Sequence, residues 1–516
     1  MSKAMSSEQV TNEENNNITP ITTSTPMHMQ LQCPSFSRSP LLENGLSKNV
    51  MTTTPIASPM RKAINTMQGY LEVTKFDPQE AWLPITESRN GNAYYAAFHV
   101  LCSGIGFQAL LLPLAFTSLG WVWGIISLTI AFIWQLYTLW LLTQLHESDN
   151  GIRHSRYLRL SMAAFGEKLG KVLSLFPIMY LSGGTCVALI MVGGGSMKIF
   201  YQTLCGPTCT SSNPLSMVEW YMVFSSCAVI LAQLPNLNSI AGVSLVGSIT
   251  VVGYYTIIWV VSVFEGRLAN VSYTTPGTAG ADAARVCSVL NALGMIAFAF
   301  RGHNLILEIQ GTMPSSTKQP SQIPMWRGVK FAYVIIGLCL FPVAIGGYWA
   351  YGNLTPTNEG ILSALYKYHG HDTPKYLLSF TSLLVVINSL SSFQLYAMPV
   401  FDNLEFRYTS SRNKPCPRWL RSGIRAFFGC LTVFIAFALP FLPSLAGLLG
   451  GVTLPLTLAY PCLMWLKIKK PRKYTSMWFL NWGLGCLGIL LSILLVTGAV
   501  WSIVITGMEV HFFKPM

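Results

Sequence analysis

Residues Asn291–Thr312 read NALGMIAFAFRGHNLILEIQGT. The stretch is apolar and long enough to cross a bilayer, whose core takes roughly 20 helical residues. Yet Arg301, Gly302, His303 and Asn304 stand together at its middle, and Glu308 follows. A charge at the bilayer centre costs roughly 2.5–3.5 kcal/mol on insertion scales, so a helix does not present one to lipid. Either the helix faces a polar cavity or it is broken at that depth. The expectation is a break over Phe300–Asn304 that lines a water-accessible site, with the rest of the chain as its housing.

The flanking chain is of the right kind for such a housing. Of 516 residues, 51% are hydrophobic and only 10% charged, against about 25% charged in ordinary soluble proteins. This predicts an all-α polytopic membrane protein. The net charge of +13 does not imply nucleic acid as a partner. The basic residues lie between apolar runs, where they meet anionic lipid headgroups. Eleven transmembrane helices are expected, at about Ala93–Thr117, Trp121–Leu145, Val172–Phe200, Met217–Leu234, Val243–Phe264, Val286–Gln310, Val329–Tyr351, Tyr376–Val400, Ile424–Leu442, Leu445–Leu466 and Met477–Ile505.

Residues 1–90 are polar and rich in Ser, Thr, Asn and Pro. They read as a disordered tail with no secretory signal. Loops on the tail's side of the membrane hold nineteen Lys and Arg, against five on the other side, or six with Lys198. By the positive-inside rule the N-terminus is cytosolic and the C-terminus extracellular. The sequon at Asn270 then falls in an outward loop, open to glycosylation. Cys205 and Cys209 flank a short polar loop segment and form either a disulfide or two free thiols; a metal there would lack two further ligands. The loop His146–Lys171 has the pattern of a short amphipathic helix on the inner membrane surface.

The first span is also interrupted, by Ser103-Gly104-Ile105-Gly106-Phe107-Gln108. Two glycines loosen a helix, and a buried Gln needs a partner; close helix crossing is the plainer use of membrane glycine. Spans one and six occupy corresponding places in two five-helix halves. Paired interruptions at matching places point to a transporter built from inverted repeats. The organisation expected is repeat one at 93–264, repeat two at 286–466 and an extra helix at 477–505, within a transporter domain of 91–510. Each break frees amides at one half-helix and carbonyls at the other, which together suit a zwitterion such as an amino acid.

The expected substrate-binding residues are Ser103, Gly104, Ile105, Gly106 and Phe107 with Phe298, Ala299, Phe300, Arg301 and Gly302. Phe300 is expected to cover the solute, with Gly193-Gly194-Gly195 and Asn388 as walls. Arg301 either sets a fixed positive charge in the site, favouring anionic or neutral solutes, or pairs internally with Glu308 across the break. His303, Glu308 and His99 are candidates for proton coupling; for the histidines the alternative is hydrogen bonding to broken backbone. No HExxH and no paired intramembrane Asp suggest an enzyme. No catalytic residue, metal or cofactor is expected, only protons as coupling ion.

Several unusual strings occur in order: Trp82-Leu-Pro-Ile-Thr-Glu-Ser-Arg-Asn90, Phe98-His99, Leu119-Gly120-Trp121, Leu145-His146-Glu147, Gly302-His303-Asn304, Leu307-Glu308-Ile309-Gln310 and Tyr396-Ala-Met-Pro-Val-Phe-Asp402. Over roughly residues 80–510 the chain resembles the plant amino acid/auxin permease family, in its lysine-histidine-transporter-like branch. The resemblance implies the broken-helix amino acid transporter fold, a proton-coupled symporter taking up amino acids, and the plasma membrane. Gln108 and Arg301 stand where that family usually has a small residue, and Asn388 where it often has His. The architecture therefore carries over better than the substrate. The alternatives are an auxin-like or other small carboxylate as cargo, or an amino acid sensor with little transport.

Overall fold

Glycine marks the interruptions that shape this chain, at Gly106, Gly120 and Gly302. The computed structural model describes residues 82–148, 151–205, 215–274, 282–316, 318–356, 360–439 and 446–506. The expected disordered tail, residues 1–90, lies outside the described residues as far as residue 81. Residues 82–90 do not belong to a free tail: Leu83, Ile85 and Thr86 are buried. Their backbone is held, with Ile85 N donating to Asp402 and Trp82 O accepting from Arg421. The polar composition of this stretch suited anchoring to charged side chains as well as it suited solvent.

Apart from one bridge between Glu147 and Arg153, all regular structure among the described residues is helical. α1 (Ala93–Gly104) starts at Asn92, whose side chain accepts from Tyr94 N and Tyr95 N, satisfying amides that a first turn leaves open. A 3-10 turn, Phe107–Leu111, leads into α2 (Leu112–Leu145), which departs from helix at Gly120, φ 72°. That conformation suits a residue without Cβ. There follow α3 (Tyr157–Phe165), α4 (Glu167–Cys205), α5 (Met217–Leu231), α6 (Ala241–Phe264), α7 (Asp282–Ala299), α8 (His303–Gly311), α9 (Gln322–Tyr351) and α10 (Ile361–His369). The chain closes with α11 (Lys375–Arg412), α12 (Arg418–Ala438), α13 (Ala446–Leu454), a π turn at Pro455–Ala459, α14 (Tyr460–Lys469) and α15 (Ser476–Thr506).

Nine helical stretches among the described residues are long and apolar enough to cross a membrane. α5 is apolar but shorter, and the first two expected runs share α2 across Gly120. Helix length alone thus does not reproduce the expected count of eleven. Large apolar side chains such as Ile130, Ile133, Phe264, Phe331 and Leu338 point outward, as a lipid-facing surface requires.

α11 packs along α4 and α6 and runs through the middle of the bundle. The helix expected in the loop between α2 and α4 is α3. It buries Tyr157 and Leu160, and the Tyr157 hydroxyl donates to Leu456 O at 2.7 Å. That hydroxyl fastens α3 into the bundle, so it does not lie free on a surface.

Candidate functional site

Both expected breaks are present. α1 ends at Gly104, and Ile105 (φ −115°, ψ 141°) and Gly106 (φ −170°, ψ −172°) are extended before the chain turns helical again. α7 ends at Ala299, and Gly302, φ 98°, turns left-handed to start α8 at His303. A side chain there would be strained.

The two breaks meet. A Cβ on Gly302 would lie 3.1 Å from the Ser103 hydroxyl, and one on Gly106 would overlap the Arg301 guanidinium. Arg301 is 2% exposed, and its Nε, Nη1 and Nη2 have no hydrogen-bond partner among the described residues. Its Cζ lies 4.8 Å from the Tyr396 ring centroid and 5.3 Å from that of Phe107. Desolvated cation–π contacts are worth about 2 kcal/mol each, well short of what it costs to strip a cation of water. Gln108 is likewise buried, with neither its amide nitrogen nor its oxygen bonded among the described residues.

The internal pairing of Arg301 with Glu308 does not form: no ion pair involves Arg301 among the described residues. Glu308 is buried and makes no hydrogen bond there either. It lies instead in the field of Asp402 and Arg156.

Three carbonyls at the first break, where an ammonium was expected, already accept side-chain hydroxyls. Tyr396 OH donates to Ser103 O at 2.6 Å, Tyr255 OH to Gly106 O at 2.7 Å and Ser392 Oγ to Cys102 O at 3.1 Å. Sequence reasoning missed all three side chains. Tyr255 stands in a span read as plain apolar scaffold. Ser392 and Tyr396 lie in α11 one and two turns from Asn388, the residue singled out there. Asn388 itself donates to Gly247 O on α6 at 3.0 Å.

Other expected residues serve elsewhere. Gly104 packs against Ile336, a Cβ there falling 2.9 Å from its Cδ1. The Gly193-Gly194-Gly195 wall is a packing seam, where Gly193 and Gly194 admit the rings of Phe224 and Tyr221 from α5. Phe300 is no lid, for its ring packs edge-on against Phe132 at 6.2 Å. The rings nearest an opening are Phe107 and Phe298, 6.4 Å apart. With Leu111, Met191, Val192 and Leu449 they border a small apolar cavity with room for about one water.

The two histidines differ: His99 is bonded, whereas His303 is held through Nε2 alone and its buried Nδ1 has no partner among the described residues. His303 Nε2 is 3.0 Å from Thr138 Oγ1 and 3.3 Å from Gln135 O, and His99 Nδ1 is 2.7 Å from Ser244 Oγ. Asn270 is exposed in the loop after α6. Cys205 is disulfide-bonded, while Cys209 lies outside the described residues.

At one end of the bundle, polar side chains close over the inside. The Arg156 guanidinium donates through Nε to Asp402 Oδ2 and through Nη2 to Oδ1 at 3.3 Å and to Thr86 Oγ1 at 3.4 Å. Glu147 in the loop after α2 accepts from Ser321 Oγ at 2.6 Å and faces Arg153 at 3.5 Å. Burial works against ionisation of Glu147, yet neighbouring His146 and the Ser321 hydroxyl hold its carboxyl down at about 2.

Residues 89–503 match the transmembrane amino acid transporter protein family. This chain belongs to that family. It is 57% identical to Lysine histidine transporter-like 8 of Arabidopsis thaliana, over 94% of this chain and 96% of the relative. Lysine histidine transporter-like 7 of the same plant is 44% identical, over 85% and 90% of the two chains. The resemblance read from the motif strings therefore holds, and the relatives of this family member are transporters, not enzymes. Among solved structures, a nucleobase-cation-symport-1 family transporter in a closed conformation superposes with a TM-score of 0.53 at 11% identity, over 84% of this chain and 98% of that one. The amino acid transporter family member thus has the inverted-repeat, broken-helix architecture expected from its paired interruptions.

Proposed function

We propose that this chain is a proton-coupled amino acid symporter of the plasma membrane, with its N-terminus in the cytosol and its C-terminus outside. The observation that carries the reading is the meeting of the two breaks at Gly106–Arg301 and Ser103–Gly302. Interrupted helices that meet where side chains lie buried and unpaired suit a solute site at mid-membrane. Rocking of one repeat against the other would expose that site to each side in turn. The sign of the loop charges supports the orientation. Small solute and lipid are the partners; nucleic acid is not.

Of the three coupling candidates, Glu308 has the strongest claim. The two histidine rings are each held by at least one hydrogen bond, His303 through Nε2 only, whereas the buried Glu308 carboxyl makes none among the described residues. An ionisable group in that condition changes its charge at a large difference in environment, as a proton carrier must between its inward and outward states. Uptake by cells expressing the wild-type chain should rise when the medium is acidified. Glu308→Gln should lose that pH response while still binding solute, and His99→Gln should keep it. Uptake of a labelled amino acid panel at acidic and neutral pH checks both points. If a surface-displayed wild-type protein moves no amino acid, the reading fails.

A further inference from the structure

Two side chains reach the same glycine with nothing to bond. Arg301 brings three guanidinium nitrogens and Gln108 a whole carboxamide, all buried and unbonded among the described residues. Both crowd Gly106, where a Cβ would overlap Arg301 Nη2 and lie 3.0 Å from Gln108 Oε1. A guanidinium does not lose its charge in a protein, so it cannot be relieved by neutralisation. Its planar fork matches a carboxylate, with two parallel N–H donors for two oxygens.

The neighbouring cavity is of the opposite character. Phe107 has its ring beside the Arg301 guanidinium and also lines the apolar cavity with Leu111, Met191 and Phe298. No carboxylate lines that cavity among the described residues, and the carbonyls of Cys102, Ser103 and Gly106 accept serine and tyrosine hydroxyls. A second cation brought into this space would find the Arg301 charge and no counter-ion.

We propose that Arg301 and Gln108 form an anion subsite that takes the carboxylate of a solute whose other end is apolar and lies beyond Phe107. It follows that this carrier rejects cationic amino acids such as lysine, although its relatives bear lysine and histidine in their names. The inference rests on the carrier reading above and names the class of cargo. In the bound state the guanidinium donates to both carboxylate oxygens, the Gln108 Nε2 donates alongside, and Gln108 Oε1 is left to accept from an α-ammonium.

The test is competition against labelled leucine in cells displaying the full chain. Three competitors separate the parts of the ligand: 4-methylpentanoate lacks the amine, 3-methylbutylamine lacks the carboxylate, and lysine adds a cation. The acid should compete, and the amine and lysine should not. Arg301→Met should weaken the acid about tenfold or more and admit lysine; Gln108→Leu should weaken the acid less. Lysine competing as well as leucine at the wild-type protein would overturn the subsite and leave the carrier reading standing. If the wild type takes up no amino acid, the carrier reading has failed and the purified protein decides the subsite. There 4-methylpentanoate should raise the melting temperature of the wild type and Gln108→Leu but not of Arg301→Met. The absence of any shift in the wild type refutes the subsite, also where Arg301→Met does not fold.

Discussion

Uptake is expected to fall to background when Gly106 is replaced by leucine, while the protein should still reach the membrane. The backbone does not forbid the change, because φ −170° with ψ −172° is extended chain open to any residue. The space forbids it. The first carbon of the new side chain would coincide with the Arg301 guanidinium, and the Gln108 oxygen lies 3.0 Å from it. Leucine has three carbons more, so either Arg301 leaves its place between Phe107 and Tyr396 or the two breaks move apart. Overpacking of this kind costs about 1–3 kcal/mol in stability, which a large membrane bundle survives. The transport site does not, since a misplacement of about 1 Å among positioned groups costs about a hundredfold in rate. Gly104→Ala is the matching control. Its new methyl meets only the end of the Ile336 side chain at 2.9 Å, which can swing aside, so most uptake should remain. Full uptake by the leucine variant, with surface display measured in the same cells, would show that solute does not pass Gly106.

What could be read in the chain beforehand were the features whose energetics are local. Arg301 in an apolar run implies a break because lipid cannot solvate a charge there, whatever the rest of the molecule does. The Gly104-Ile-Gly106 interruption at the corresponding place of the first half supplied the symmetry. What could not be read was which groups are brought to the breaks. Tyr255 and Tyr396 lie 149 and 293 positions from the carbonyls they bind, and nothing in their own spans marks them out. The Gly193-Gly194-Gly195 run was ambiguous for a physical reason: absence of a side chain admits a solute or a neighbouring ring equally well, and here the rings of α5 occupy the space. Arg301 and Glu308 invited pairing by charge alone. The left-handed turn at Gly302 sends them apart, Glu308 toward the Arg156–Asp402 pair and Arg301 toward Gly106.

Removing the carboxylate of Asp402 should be the most destabilising single change at the loop end of the bundle. Asp402 is fully buried near the end of α11, and Arg156 beside it is nearly so. The pair is bidentate, and the same carboxylate accepts from Ile85 N at 3.4 Å, while Arg156 also reaches Thr86. Three pieces of chain far apart in sequence, the strap before α1, the start of α3 and the end of α11, therefore close on one carboxyl group. A buried ion pair adds little over a well-packed apolar pair, but breaking it from one side costs about 3–5 kcal/mol, since the remaining charge has been stripped of water. Asp402→Ala should thus lower the melting temperature of the purified protein sharply and reduce its yield. Asp402→Asn keeps the acceptor for Ile85 N and should lose less. The double change Arg156→Met with Asp402→Leu should recover much of the loss, because neither member of the pair then leaves the other's charge buried and unpaired. That recovery separates electrostatic burial from a mere gap in packing, which adding a second truncation would deepen. If Asp402→Ala melts like the wild type, the strap, α3 and α11 are held together by their apolar contacts, and the charged cluster at this end bears none of the fold.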